Sequence, residues 1–214
     1  GATCIDLELN MHASHGDLTF SEYKDGFVGL RTHPHLRLVA NPGKGVKEVF
    51  GKAVNSVGVE GKAIWGQRAD WVHYWGKVEG RDAGVAILSH PSNPRNPSWW
   101  HARDYGLIAV NPFGPKRSKG DGKLSLPAGQ SLTLRYRFLF HGLPGQDAAI
   151  ATRYAAYGAE ELTPRTVVSP IPSGVLESSV SEEVVKNAKK RGGSLQSVTR
   201  YVDGKKAKPV KLMP

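Results

Sequence analysis

Two stretches of strict alternation do most to limit what this chain can fold into. Ile5, Leu7, Leu9 and Met11 alternate with Asp6, Glu8, Asn10 and His12. Leu132, Leu134, Tyr136, Phe138 and Phe140 alternate with Thr133, Arg135, Arg137 and His141. Successive strand side chains point to opposite faces, so each stretch reads as a strand with one buried face. Shorter apolar runs at 18–20, 27–31, 36–40, 53–57, 63–65, 71–75, 84–89 and 106–110 lie between them. Turn signals such as Asp25-Gly26, Asn41-Pro42-Gly43, Gly80 and Asp121-Gly122 punctuate these runs. Many short strands with regular turns predict an all-β chain, an antiparallel β-sandwich.

Helix signals come late. An Ala-rich segment at 146–157, with Asp147 near its start and Gly158 past its end, predicts one helix. Ser179 with Glu182 three residues on, stopped by Gly192-Gly193, predicts a second over 179–191. Asp203-Gly204 is placed to turn a hairpin of 197–202 with 207–212. The expected organisation is a sandwich over 1–162, a Pro/Ser/Thr-rich linker over 163–178, and a basic helix-plus-hairpin or disordered tail over 179–214.

Charge and composition narrow the function classes. The chain has 29 Lys and Arg against 19 Asp and Glu, and nine of those bases with one acid fall from Lys186 onward. A basic tail invites nucleic acid or an anionic surface. Tyr201 is its one aromatic, so the stacking platform of a single-strand binder is missing, and a solubilising appendage is expected instead. The apolar runs, at four or five residues, fall far short of the roughly 20 that a membrane helix needs. A single cysteine, Cys4, allows neither an internal disulfide nor a Cys-based zinc site. The chain opens Gly1-Ala2-Thr3 with no leader-like segment, so the expectation is either that a leader has been removed or that the chain is an interior piece of something longer.

The densest chemistry lies in 89–114. Pro91, Pro94 and Pro97 stiffen what reads as a long connector carrying His90, Asn93, Arg95, Trp99, Trp100, His101, Arg103, Asp104 and Tyr105, with Asn111 in the strand beyond. The guanidinium forks of Arg95 and Arg103 suit carboxylates, phosphates or vicinal hydroxyls. His90 and His101 titrate near neutral pH and fit an acid and base pair. Trp100 and its neighbour offer flat faces for a sugar ring. Asn93, Tyr105 and Asn111 add neutral donors and acceptors. The same residues also read as a plug for one end of a sandwich, and the sequence leaves both readings open.

The pattern His-Pro-x-Asn-x-Arg-x-Pro-x-x-Trp-His-x-Arg-x-Tyr-Gly-Leu, followed by Asn-Pro-Phe-Gly, resembles the bacterial family named "methane oxygenase PmoA". Tyr23-Lys24-Asp25-Gly26-Phe27 and Trp65-Gly66-x-x-Ala69-x-Trp71-Val72-x-Tyr74 extend the resemblance over about residues 3–157. It implies half of a galactose mutarotase-like supersandwich, lacking a preceding half. It also implies a carbohydrate-related, exported bacterial protein whose reaction is unestablished. His90, Asn93, Arg95, Trp100, His101, Arg103, Tyr105 and Asn111 match its motif. On this basis His90 and His101 are the expected catalytic pair, and the other six are the expected substrate contacts.

Two further readings are carried. One is a structural half-domain without activity, pairing through an exposed sheet edge. The other is a metal-dependent oxidase using His33 and His35 with His12 and His15. Scattered histidines are more often turn or surface residues, and no metal or other cofactor is assigned. Asp70, Asp82 and Asp104 are candidates for paired carboxylates. The basic loop 114–120 reads as a solvated hairpin turn. The expected partner is a carbohydrate or other small polar ligand, without nucleic acid and without a membrane span.

Overall fold

The computed structural model describes residues 1–114 and 122–160, with backbone alone at 201–202 and 205–206. The chain divides into Gly1–Glu161 and Leu162–Pro214. The first unit is an all-β sandwich with one helix. In chain order its strands are β1 (Ala2–His12), β2 (Leu18–Phe20), β3 (Val28–Arg31), β4 (Lys52–Asn55), β5 (Arg68–Ala69), β6 (Trp71–Val78), β7 (Arg81–Ser89), β8 (Ser98–Ala102), β9 (Leu107–Asn111), β10 (Leu124–Leu126) and β11 (Ser131–His141). The helix α1 (Ile150–Gly158) follows. A five-stranded sheet has the order β1-β11-β7-β6-β4, a four-stranded sheet the order β3-β9-β8-β5, and β2 pairs with β10. Every pairing is antiparallel.

The two alternating stretches are partners. β1 runs along the whole of β11, with Leu7 opposite Tyr136 and Leu9 opposite Leu134. Their apolar sides, with Val72, Tyr74, Val85 and Ile87, meet Trp100, Ile108 and Val110 of the other sheet. The central strand β7 is buried on both faces. Val85 and Ile87 enter the inter-sheet core, while Ala86 and Leu88 pack with Leu139 against Ile150 and Tyr157 of α1. Fully burying one such aliphatic side chain contributes about 1.5–3 kcal/mol.

Several local expectations differ. The connector 89–106 is not one loop, because β8 interrupts it directly after Pro97. Pro91, Pro94 and Pro97 obscured a strand whose first residue tolerates a preceding proline. Runs 36–40 and 63–65 are not strands. Pro34–Leu36 and Gly61–Ile64 form 3₁₀ turns, the first with its N-terminal proline and with His33 Nδ1 accepting the His35 N–H. The helix begins at Ile150 because Ala149, in a left-handed conformation (φ 48°), separates it from a 3₁₀ turn at Gly145–Ala148.

In the second unit, β12 (Tyr201–Val202) and β13 (Lys205–Lys206) pair as Tyr201 with Lys206 and Val202 with Lys205. They flank Asp203-Gly204, so the return strand starts before 207. The linker over 163–178, the helix over 179–191 and the loop at 115–120 lie outside the described residues.

Candidate functional site

The eight residues expected to form a site do not share a hollow. His90 directly follows β7, on the helix side. Its ring meets Tyr157 of α1 edge-on at 4.8 Å, and its Nδ1 accepts from the Ser92 hydroxyl at 2.7 Å and the Ser92 N–H at 3.1 Å. Burial lowers its pKa, so the imidazole is held neutral. His101 lies in the other layer, on the outer side of the four-stranded sheet, since its neighbour Trp100 points into the core. Its Nδ1 donates to the Lys24 carbonyl at 2.6 Å. Both imidazoles are almost fully buried, at 3% and 4% exposure. The two imidazoles expected as a catalytic pair thus lie on the outer sides of different layers, and the fold does not bring them together.

Most of the remaining residues are internally satisfied. Asn93 extends the sheet with its side chain: Nδ2 donates to the Arg135 carbonyl at 2.7 Å, and Oδ1 accepts the Arg135 N–H at 2.7 Å. Arg95 clamps the carbonyls of Gly122, at 2.6 Å, and Lys123. Trp100 is 1% exposed, and its Nε1 donates to the Ala69 carbonyl at 2.8 Å. Asn111 Nδ2 donates to the Tyr23 and Gly114 carbonyls at 2.7 and 2.8 Å. These four residues, expected as substrate contacts, direct polar atoms to backbone and brace the strands and turns around them. Arg103 and Tyr105 differ: the guanidinium lies 5.4 Å from the Tyr105 ring and 5.0 Å from that of Trp65.

The other candidates disperse too. Asp70 accepts from Asn96 and Tyr154, Asp82 pairs with Lys77 at 2.9 Å, and Asp104 faces Lys62 at 3.8 Å. His12 bonds Ser131 and His15 bonds Ser14, while His33 and His35 sit edge to face. Among the described residues, no group of three or more His, Cys, Asp or Glu is placed to hold a metal.

A groove that the sequence reading missed lies on the helix-side face of the five-stranded sheet. Odd-numbered residues of β6 (Trp71, His73 and Trp75) line it, with Lys52 and Val54 of β4, Glu60, and the segment from Gly145 to Thr152 opposite. Its volume is about 480 Å³. Trp75 stacks on His73, with centroids 4.7 Å apart and planes within 20°. Gly145 permits this wall, because a side chain there would collide with the Trp75 indole. At the floor, His73 Nε2 meets His141 Nε2 at 2.9 Å. His141 Nδ1 accepts the Leu143 N–H at 3.3 Å, so the proton shared with His73 originates on His141 Nε2. Gly84 makes room for that ring. Burial, then the neighbouring His141, lowers the His73 pKa to about 3, and burial lowers that of His141. The signal available in sequence was aromatic-His-aromatic at 71, 73 and 75. It gave no indication which strand face stays open.

The arrangement offers two half-exposed indoles, a cation at Lys52, an anion at Glu60, and polar groups at Gln146 and Thr152. It suits stacking and hydrogen bonding to a polar ring. The model of a family of unknown function (DUF6807) matches residues 1–155. No curated protein and no solved structure matches the chain.

Proposed function

The chain belongs to that family of unknown function, and we propose that its sandwich binds a carbohydrate in the groove of β6 rather than at the proline-rich connector. The observation that carries this reading is the pair of indoles, Trp71 and Trp75, flanking a groove whose floor is the buried His73 and whose rim carries charged and amide groups. Sugar rings present apolar C–H faces and hydroxyl edges, which such a row and rim complement. The His73–His141 pair lies beneath the row, and its role in this reading is to fix the Trp75 ring. No chemical step is assigned. Intrinsic tryptophan fluorescence titrated with a panel of neutral and charged oligosaccharides tests the reading. A saturable change lost in Trp75→Ala and kept in Trp99→Ala supports it. No response to any member of the panel, or equal loss in both variants, sinks it.

A second reading has its own observation. β1 is an edge strand, Ile5 is 56% exposed, and Phe140 is 38% exposed. Beside them an open space of about 480 Å³ is lined by Thr3, Leu30, Val85 and Phe140. An uncovered edge beside apolar side chains favours pairing with another strand. Concentration-dependent association weakened by Ile5→Lys supports that reading, and a monomer at all concentrations removes it.

A further inference from the structure

The four described arginines that lie over aromatic rings divide into two groups. Arg68 lies over Trp99 and Arg137 over Tyr157, and each also donates hydrogen bonds: Arg68 to the Pro97 and Arg95 carbonyls, Arg137 to Asp6 and Glu160. Arg31 and Arg103 also lie on rings, yet among the described residues neither guanidinium has a hydrogen bond or an ion pair. Three of the five described cation–π contacts fall on their cluster. β3 ends at Arg31 opposite Leu107, which brings it to the β8–β9 turn. There its guanidinium sits 4.8 Å from the Tyr105 ring, and Arg103 bridges Tyr105 and Trp65. Arg37 reaches the same turn. Its Nε and the Thr32 Oγ1 are buried without partners, and both side chains border Gly106. Asp104, the carboxylate of this turn, is directed to Lys62.

We propose that this turn is a second binding site, for a polysaccharide bearing carboxylate or sulfate groups, recognised by Arg31, Arg37 and Arg103. A guanidinium held over an aromatic ring by cation–π attraction spends no N–H on that contact, so its fork stays available for two-point contact with an oxyanion. The rings hold the forks in place, which lowers the ordering cost of binding. Because guanidinium groups already cover Tyr105 and Trp65, those faces are closed to nucleobases, which favours a sugar oxyanion over single-stranded nucleic acid. The site is open: Arg31 is exposed and Trp65 is 39% exposed. It is independent of the β6 groove, which lies on the other sheet.

The test uses the full chain with polygalacturonate, dextran sulfate and neutral dextran over a salt series. Polygalacturonate or dextran sulfate should bind in a salt-dependent way, and the stronger of the two identifies the oxyanion. Arg31→Gln with Arg103→Gln should weaken binding about tenfold or more, equivalent to ~1.4 kcal/mol, with the melting temperature unchanged. Arg31→Lys with Arg103→Lys keeps the charge and should lose an intermediate amount. Lys77→Gln with Arg81→Gln removes the same charge from the β6–β7 turn and should leave affinity within about twofold. Equal loss in that control would reduce the effect to net charge. No loss in the Arg-to-Gln pair would assign binding to the basic tail. Equal or tighter binding of oligo-dT or polyglutamate would overturn the polysaccharide assignment.

Discussion

The proline-rich connector and the β6 face carry similar side chains and use them in opposite ways. In the connector and the strand after it, Asn93, Arg95, Trp100 and Asn111 direct their polar atoms to backbone carbonyls and amides. On β6, Trp71 and Trp75 line the open groove, and Trp75 stacks on the buried His73 of the histidine pair. Density of chemically versatile residues is thus a poor guide to a site. Spare capacity, meaning rings and polar atoms not already engaged within the fold, separates the two regions.

Substitutions can break this contrast. The largest effect is expected at Trp100→Ala, which should cost about 3–5 kcal/mol in chemical denaturation. A loss under ~1 kcal/mol would return Trp100 to the list of ligand contacts. Acid should come next. His73 titrates near 3 in the fold and near 6.5 when unfolded, so below pH 6.5 the unfolded chain takes up a proton that the folded one refuses. Its stability contribution is present above pH 6.5 and should fall at about 1.4 kcal/mol per pH unit down toward pH 3. Replacing both His73 and His141 by Leu should flatten that part of the profile, and an unchanged slope would discard the buried pair as its source. Asn93→Ala leaves the Arg135 N–H without its partner and removes one of the two donors to the Arg135 carbonyl, the other being the His90 N–H; it should cost about 1–3 kcal/mol, with oligosaccharide binding unaltered. The smallest stability change, within about 0.5 kcal/mol, is expected for exposed Lys52→Ala, which should nonetheless weaken oligosaccharide binding. If Lys52→Ala destabilised the domain while Asn93→Ala did not, the two regions would have exchanged roles.

The fold was largely legible from β1 and β11, because alternation is a local property: Leu9 and Met11 of β1 and Leu132, Leu134 and Tyr136 of β11 pack in the inter-sheet core, although Ile5 stays exposed. That these two pair with each other across the whole unit is not local, and nothing in either stretch states it. β8 went unread because three prolines precede it and break the pattern on which a strand reading depends. The site was less legible still. Trp71, His73 and Trp75 form a readable period-two row, but their openness depends on β6 lying beside the short strand β4 and on where α1 begins. Both depend on distant chain, including a break at Ala149 that no helix-forming preference among its neighbours announces.

The pairing of β1 with β11 also governs how the molecule is completed. Residues at opposite extremes of the unit, such as Asp6 and Arg137, must find one another before the five-stranded layer closes. On a ribosome the opening strand therefore waits, unpaired, while more than a hundred residues are made. A pairing between strands so far apart in sequence predicts late, slow folding for this unit.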